Sequence, residues 1–497
     1  MKLSDILRNI SVTEAVGDLD KEISEIVYDS RKAKENTIFV ALRGTQLDGH
    51  RFIVDAIGSG AAAVVLEDDS IVGDDYFLSH NSTKVLVSNT RRALSALASN
   101  FFGRPADRLK VVGVTGTNGK TTSTYLIKSV MESAGDKVLL IGTIEYMLGD
   151  RTLQTATHTT PESVDLQKMM SASLEQGATS AVMEVSSHSL AMNRVYGIPF
   201  RGALFTNLTQ DHLDFHLTME DYFKAKKILF DSLPTGSVAV ANIDDGYGER
   251  ILADTSGTKA FYGFDPRAEF QIIRAAFDKD GTSITIHFDG KDYSIVSRLV
   301  GKFNAYNLAG GFAVSVMVGY DPFLASEALG RIQNVKGRFE RIDSRKGFTV
   351  IVDYAHSPDS LQKTLEAAKE ILKNAGKAGR LITIFGCGGN RDRTKRPKMG
   401  KISEQLSDIS IVTSDNPRYE DPEAIVDEIL TGMTQGSSRV LRIVDRREAI
   451  LTGLDLARPD DIVVVAGKGH EDYQDVKGVK HHFDDREEVE KGLGLRI

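Results

Sequence analysis

Residues 111 to 122 read VVGVTGTNGKTT, an apolar β-branched run that breaks at Gly116 into a glycine-containing turn and passes directly into a helix-forming stretch. A strand, a tight loop and a helix in that order commit the chain to α/β architecture, with the loop at a strand's carboxyl end. The small residues Gly116 and Gly119 let the backbone N–H groups around Thr117 and Asn118 point inward, where they can cradle phosphate oxygens. Lys120 adds a point charge, the hydroxyl of Thr121 can ligate Mg²⁺, and Thr122 continues the helix start. The pattern is a variant of the usual phosphate loop: Val114 stands where a glycine is expected, with Gly113 one step earlier.

From Lys110 onward apolar strands alternate with helical stretches: KVLLIG, a helix from Pro161 to Gln176, SAVMEVS, GALFTNL, a helix from Met219 to Leu233, and SVAVANID. This alternation predicts a doubly wound, mostly parallel sheet. Residues 268 to 300 change to period-two hydrophobicity and predict an antiparallel portion. A second alternating series begins near Lys336 and includes TVIVDYAH, a helix from Pro358 to Asn374, RLITIFG, ISIVTS and DIVVVAG. The expected organisation is a small N-terminal α/β domain at 1–104, a central phosphate-loop domain at 105–335 and a C-terminal Rossmann-like domain at 336–497. A chain of 497 residues fits roughly three such units. Ligands of open α/β sheets collect at the carboxyl ends of strands, which places the expected chemistry in a cleft between the second and third domains.

Against 61 basic residues stand 69 acidic ones, a net charge of −8 without a long basic block. That balance argues against nucleic acid or an anionic membrane surface as a partner. Asp5 and Arg8 interrupt the region where a signal peptide needs its apolar core, and no run approaches membrane-spanning length. The expectation is a soluble cytoplasmic protein. The lone Cys387 can form no intramolecular disulfide, and it reads as a small buried residue within IFGCGG.

Other polar residues gather after strands. Glu184 ends the strand AVME and suits a Mg²⁺ ligand, because magnesium takes hard oxygen donors. TNLTQDHLDFH packs Asp211, His212, Asp214 and His216 closely, and a hard-metal or phosphate-side role for His212 fits better than zinc. Lys224, Lys226 and Lys227, taken alone, read as a solvated basic helix segment.

GTNGKTT, EVSSH, TNLTQDHLDFH, DYFKAKKILF, GKFNAYNLAG, GRFE, VDYAHSP, FGCGGNRDRTKRP, SDNPRYEDP and AGKGHEDYQ occur in this order over nearly the whole chain. Together they resemble the Mur ligase family, and within it the branch that adds the third residue of the peptidoglycan stem peptide. The resemblance implies ATP-dependent amide synthesis: the free carboxylate of UDP-N-acetylmuramoyl-L-alanyl-D-glutamate takes the γ-phosphate, and an amine then displaces it from the acyl phosphate. It also implies Mg²⁺ held by Thr121, Glu184, His212 and a CO₂-derived carbamate on Lys226, with Lys120, Lys226 and His212 catalytic. For ATP it adds Asn304, Arg338 and Asp353 to the loop residues, with Asn307 nearby. For the UDP-substrate it implies Tyr28, Ser30, Thr45, Gln46, Leu47, His158, Thr159, Thr160, Ser186 and Arg194, and departs from the usual pattern at Met192 and His158. A helix N-cap is the plain alternative for Asn304, and a turn role for Thr159 and Thr160 before Pro161.

The DNPR form of SDNPRYEDP resembles members that use meso-diaminopimelate. A guanidinium at Arg418 can hold the distal carboxylate that distinguishes this amino acid from lysine. Arg391, Asp415, Asn416, Pro417, Gly467 and Glu471 match the rest of that pocket. A lysine-adding member of the family is the near alternative, and a phosphate-loop NTPase switch is the alternative from another class. A monomer is expected.

Overall fold

Thr37–Val40 reads TIFV, and successive side chains face opposite sides of a sheet. Ile38 and Val40 pack with Leu3, Ile6, Leu94 and Leu97, while Phe39 packs with Ile53, Leu66 and Phe77. The computed structural model of the protein describes residues 1–44, 47–278, 280–374, 378–437 and 439–495. The chain divides into two compact units, Met1–Gly113 with Asp136–Arg201, and Val114–Gly135 with Gly202–Ile497.

In the first unit, Glu25–Val27, Thr37–Val40, Ala63–Leu66 and Thr83–Val87 run parallel in that spatial order, and Val12–Val16 closes the edge antiparallel to Thr83–Val87. The helix Thr90–Phe101 is capped by Asn89, whose side chain accepts from the N–H of Arg92, and buries Ala93, Leu94 and Leu97. A second strand group pairs Ser180–Glu184 parallel with Val138–Ile141, then turns antiparallel through Glu145–Leu148 and Arg151–Thr155. The helix expected from Pro161 is Ser163–Glu175, with Glu162 at its N-cap.

In the second unit, Gly202–Phe205, Val238–Asn242 and Thr258–Gly263 are parallel. Phe270–Asp278, Gly281–Phe288 and Lys291–Ser297 form the antiparallel meander expected at 268 to 300. The helix Lys302–Val318 is apolar around most of its circumference and is buried from Leu308 through Ser315. A six-stranded sheet follows, ordered Glu340–Asp343, Thr349–Asp353, Ile462–Ala466, Leu381–Phe385, Ile409–Val412 and Val440–Arg442. It is parallel except for its first strand. Its two faces bury separate cores, one with Leu361, Leu365 and Met399, the other with Ile450, Leu454 and Val489. The four inner strands bury both faces, as parallel strands covered by helices must, while residues of the two edge strands are exposed.

Candidate active site

The strand Lys110–Thr115 delivers the phosphate-type loop, and the helix Lys120–Ser133 leaves it. Gly116 (φ +150) and Gly119 (φ +87) are required by their neighbours as well as by torsion. A Cβ at Gly116 would lie 1.9 Å from Thr206 Oγ1, and one at Gly119 would lie 2.4 Å from Asn307 Oδ1. The loop is pinned from the segment after Gly202–Phe205: Thr117 N–H donates to Asn207 O at 2.8 Å, Asn118 N–H to Asn207 Oδ1 at 3.0 Å, and Thr206 Oγ1 to Asn118 O at 2.6 Å. Lys120 Nζ donates to the carbonyls of Gly116 and Thr117 at 2.9 and 2.8 Å.

Lys226, on the helix Met219–Asp231, is fully buried, and its Nζ donates to the same Gly116 carbonyl at 2.8 Å over the ring of Tyr222. The solvated reading therefore holds for Lys224 but not for Lys226: the helix turns Lys226 inward with Tyr222, Phe223 and Phe230. Burial, followed by the charge of Lys120, holds the Lys226 amine well below its usual range, against the opposing pull of Asp211. Half-buried His212 has positive φ and precedes the short helix Leu213–His216. Its Nε2 is 3.7 Å from Asp211 Oδ2, and His356 Nε2 reaches the same oxygen at 3.8 Å. Burial alone would raise Asp211, but His212, His356 and Lys395 together hold it well below the usual carboxylate range.

Residues from the far sheet reach this loop within the second unit. Arg338 Nη2 donates to Thr121 Oγ1 at 2.9 Å, and its guanidinium lies over the ring of Tyr354. Asp359, in the first turn of the helix Pro358–Asn374, accepts from Asn118 Nδ2 at 2.7 Å. Asp353 is buried, and accepts from Phe339 N–H and from Thr364 Oγ1. Asn304 is the third residue of its helix and not the N-cap, which is Gly301. Its Nδ2 donates to Val300 O, and its Oδ1 accepts from Asn307 Nδ2.

In the first unit, Glu184 is buried and accepts from both the N–H and the hydroxyl of Thr143, at 2.8 and 3.0 Å. Thr160 ties the adjoining segments together: its hydroxyl donates to Glu184 O, Ser186 N–H donates to its oxygen, and Arg194 Nη1 donates to its carbonyl. Arg194 also pairs with Glu162 at 3.2 Å. The Tyr28 hydroxyl belongs to the same cluster, where burial, then Asp165 and Glu162, push it up to about 12. Thr159 Oγ1 accepts from Thr143, the His158 carbonyl accepts from Tyr146, and Ser30 opens the turn Ser30–Lys32. Leu47 is exposed, and Thr45 and Gln46 lie outside the described residues.

A polar cluster forms where the parallel strands Leu381–Phe385, Ile409–Val412 and Ile462–Ala466 end. Arg418 (φ +53) donates from Nη1 to Gly389 O at 2.9 Å and is held by backbone bonds to Asp475 and Lys477. Pro417 is buried beside it, and Arg391 is exposed on the loop after Leu381–Phe385. Asn416 Nδ2 donates to Glu471 Oε2 at 2.7 Å. Gly467 (φ +124) has no room for a side chain, because a Cβ would meet Asp415 Oδ2 at 2.6 Å. Two residues not singled out from the sequence complete this cluster. Lys468 is fully buried between Asp415, Asn416 and Glu471, and Arg446 pairs with Asp485 while donating to Ser414 O and Ala466 O. Lys468 lies inside the segment AGKGHEDYQ that carries the resemblance, and Arg446 has no sequence signal beyond its place at the start of a helix. Cys387 is buried, its thiol pushed up to about 12 by burial.

Fold and loop together define a phosphate-loop α/β protein with a second parallel sheet that carries a cluster of bonded charged side chains at its strand ends. Three family models match in sequence order: Mur ligase family, catalytic domain at 22–102, Mur ligase middle domain at 114–315, and Mur ligase, glutamate ligase domain at 337–469. The chain is 44% identical over 491 residues to the UDP-N-acetylmuramoyl-L-alanyl-D-glutamate--2,6-diaminopimelate ligase of Syntrophomonas wolfei, covering 98% of each chain. It is 42% identical to the protein of the same name from Clostridium botulinum, covering 99% of each. A solved structure of a ligase of that name aligns with a TM-score of 0.69 at 31% identity, covering 100% of this chain and 99% of the other. The chain belongs to the Mur ligase family.

Proposed function

We propose that this protein is the ATP-dependent, ADP-forming ligase that joins meso-diaminopimelate to UDP-N-acetylmuramoyl-L-alanyl-D-glutamate in peptidoglycan synthesis. The observation that carries the substrate assignment is Arg418, its guanidinium held at the Gly389 carbonyl beside buried Asp415 and Asn416 and the largely covered Glu471. A guanidinium fixed in this way suits a carboxylate, and the acids suit the ammonium next to it. Lysine offers no distal carboxylate and would leave the arginine unpaired.

Two anions, the acceptor carboxylate and the ATP triphosphate, must approach each other before the acyl phosphate forms. Lys120 and Arg338, anchored at Thr117 and Thr121 of the loop, are the cations placed to neutralise the moving charge. The loop residues Gly116 to Thr122 hold the triphosphate, with Asn304 and Asp353 on the nucleoside side. Thr121, Glu184, His212 and Lys226 as its carbamate would hold Mg²⁺, which supplies charge neutralisation to the phosphates. The fit rests on chemistry at Lys226: a buried amine kept below its usual range is nucleophilic toward CO₂, and the carbamate is an oxygen donor for a hard cation. Tyr28, Ser30, Thr45, Gln46, Leu47, His158, Thr159, Thr160, Ser186 and Arg194 bind the nucleotide-sugar peptide, with Arg194 suited to its anionic groups. The reading takes 1–104, 105–335 and 336–497 as three domains of a cytoplasmic monomer. No helix among the described residues is long and apolar enough to cross a membrane.

Phosphate release tests it. The expected result is release that requires ATP, the UDP-dipeptide and diaminopimelate together, with lysine a poor replacement. Efficient turnover with lysine would make the protein a lysine-adding member, and release indifferent to both acceptors would make it a nucleotide switch.

A further inference from the structure

Lys468 follows the strand Ile462–Ala466 by two residues, and its side chain is 0% exposed, so it cannot touch a ligand. Its Nζ donates to Asn416 Oδ1 at 3.1 Å and Glu471 Oε2 at 3.3 Å, and lies 3.7 Å from Asp415 Oδ1. Asn416 Oδ1 also accepts from Asp475 N–H, which leaves Nδ2 to donate to Glu471. One buried cation therefore sits among two carboxylates and the oxygen end of an amide. Like charges sharing a site disfavour each other's ionisation, and the cation between these two acids offsets that repulsion.

We propose that Lys468 is the charge-setting, positioning residue of the amino-acid pocket: it keeps Asp415 and Glu471 anionic together and fixes the direction of the Asn416 amide. The cluster then fits a zwitterionic amino-acid head, its ammonium facing the two acids and its carboxylate facing Arg418. This rests on the substrate reading given above. The other charged and titratable groups around the acids are Arg446 from the helix Arg446–Leu456, Arg418 from the loop after Ile409–Val412, Cys387 from the loop after Leu381–Phe385, His356 and Tyr354 from the segment after Thr349–Asp353, and Tyr473 and Asp475 from the hairpin of Tyr473–Val476 with Val479–His482. Burial raises Asp415, but Lys468 first, then Arg446, His356 and Arg418, bring it below its usual range. Glu471 is raised by burial and by Asp415, with Lys468 opposing. Removal of the lysine charge therefore drives a proton onto the acid pair at a higher pH than in the wild type.

The test measures kcat/KM for diaminopimelate and for ATP across pH in Lys468→Met and Lys468→Gln. Gln retains a donor for Asn416 and Glu471 but carries no charge. The expected result in both is a KM for diaminopimelate raised about tenfold or more, an ATP KM within about twofold of wild type, and an acid limb of the diaminopimelate profile moved up by about one pH unit. A folded Lys468→Gln protein with the wild-type acid limb overturns the proposal. Should neither variant fold, Glu471→Gln reads the same balance: relief of the competing charge moves the acid limb down, and an unmoved limb overturns the proposal. If the wild type does not prefer diaminopimelate to lysine, the substrate reading fails by itself. If it does and Lys468→Gln behaves as wild type, only the role of Lys468 fails.

Discussion

The phosphate loop and the proposed amino-acid pocket solve the same problem, the placing of charge at strand ends, by different means. The loop is one contiguous segment whose shape is set by backbone torsion at Gly116 and Gly119 and by bonds from the neighbouring Thr206–Asn207 segment. The pocket draws on loops after Leu381–Phe385, Ile409–Val412 and Ile462–Ala466, and these are held together by buried side-chain charges. Arg446 shows the second strategy: its guanidinium is bidentate to Asp485 and donates to carbonyls at the ends of two strands. A contiguous loop tolerates change in remote side chains but no added atom at its glycines. A pocket braced by ion pairs has the opposite weakness, because loss of one buried partner strands the other.

The comparison is most exposed at Gly116. Gly116→Ala places a methyl 1.9 Å from Thr206 Oγ1 at a positive φ. The expected cost is about 2–5 kcal/mol of loop distortion, the sum of left-handed strain and overpacking. ATP titrations should show it as a large loss of affinity, with diaminopimelate affinity preserved, and near-normal ATP binding would break the claim that torsion sets the loop. Arg418→Ala probes the other region. It should lose about 2–4 kcal/mol in kcat/KM for diaminopimelate through a broken charge pair, leaving the ATP KM unchanged. An unchanged KM for diaminopimelate would remove Arg418 from specificity. Between the two stands Lys226→Ala, for which kcat should fall about 100-fold and recover in part with added short carboxylates. No recovery counts against a carbamate. The smallest effect is on stability. Asp461 is held below its usual range by Arg380 despite burial, so its contribution is present at neutral pH and is lost as pH falls through its folded-state value. Asp461→Asn should cost about 1–3 kcal/mol in denaturant titrations at pH 7, with the gap to wild type closing below about pH 4. A constant gap would contradict the pairing.

The same contrast explains what could be read from sequence. The alternation of strands and helices, the meander at 268 to 300, and the helices Met219–Asp231 and Pro358–Asn374 were legible because each is encoded by local periodicity. The hairpins Glu145–Leu148 with Arg151–Thr155 and Tyr473–Val476 with Val479–His482 were not, since short, partly exposed strands carry little hydrophobic signal. Lys226, Lys468 and Arg446 look like ordinary surface cations in a one-dimensional string. Their burial depends on partners such as Gly116, Asn416 and Asp485 that are remote in sequence. Asn304 misled in the other direction: its residue type favours an N-cap, yet Gly301 holds that position and Asn304 lies inside the helix, bonded to Asn307.

The central claim is that the acceptor carboxylate captures phosphate from ATP before an amine displaces it. It is tested most directly by placing ¹⁸O in the free glutamyl carboxylate of the UDP-dipeptide and analysing the phosphate released during turnover with diaminopimelate by mass spectrometry. The account predicts that each phosphate formed carries one labelled oxygen from that carboxylate. Unlabelled phosphate, released at the same rate as ligated product, would contradict it.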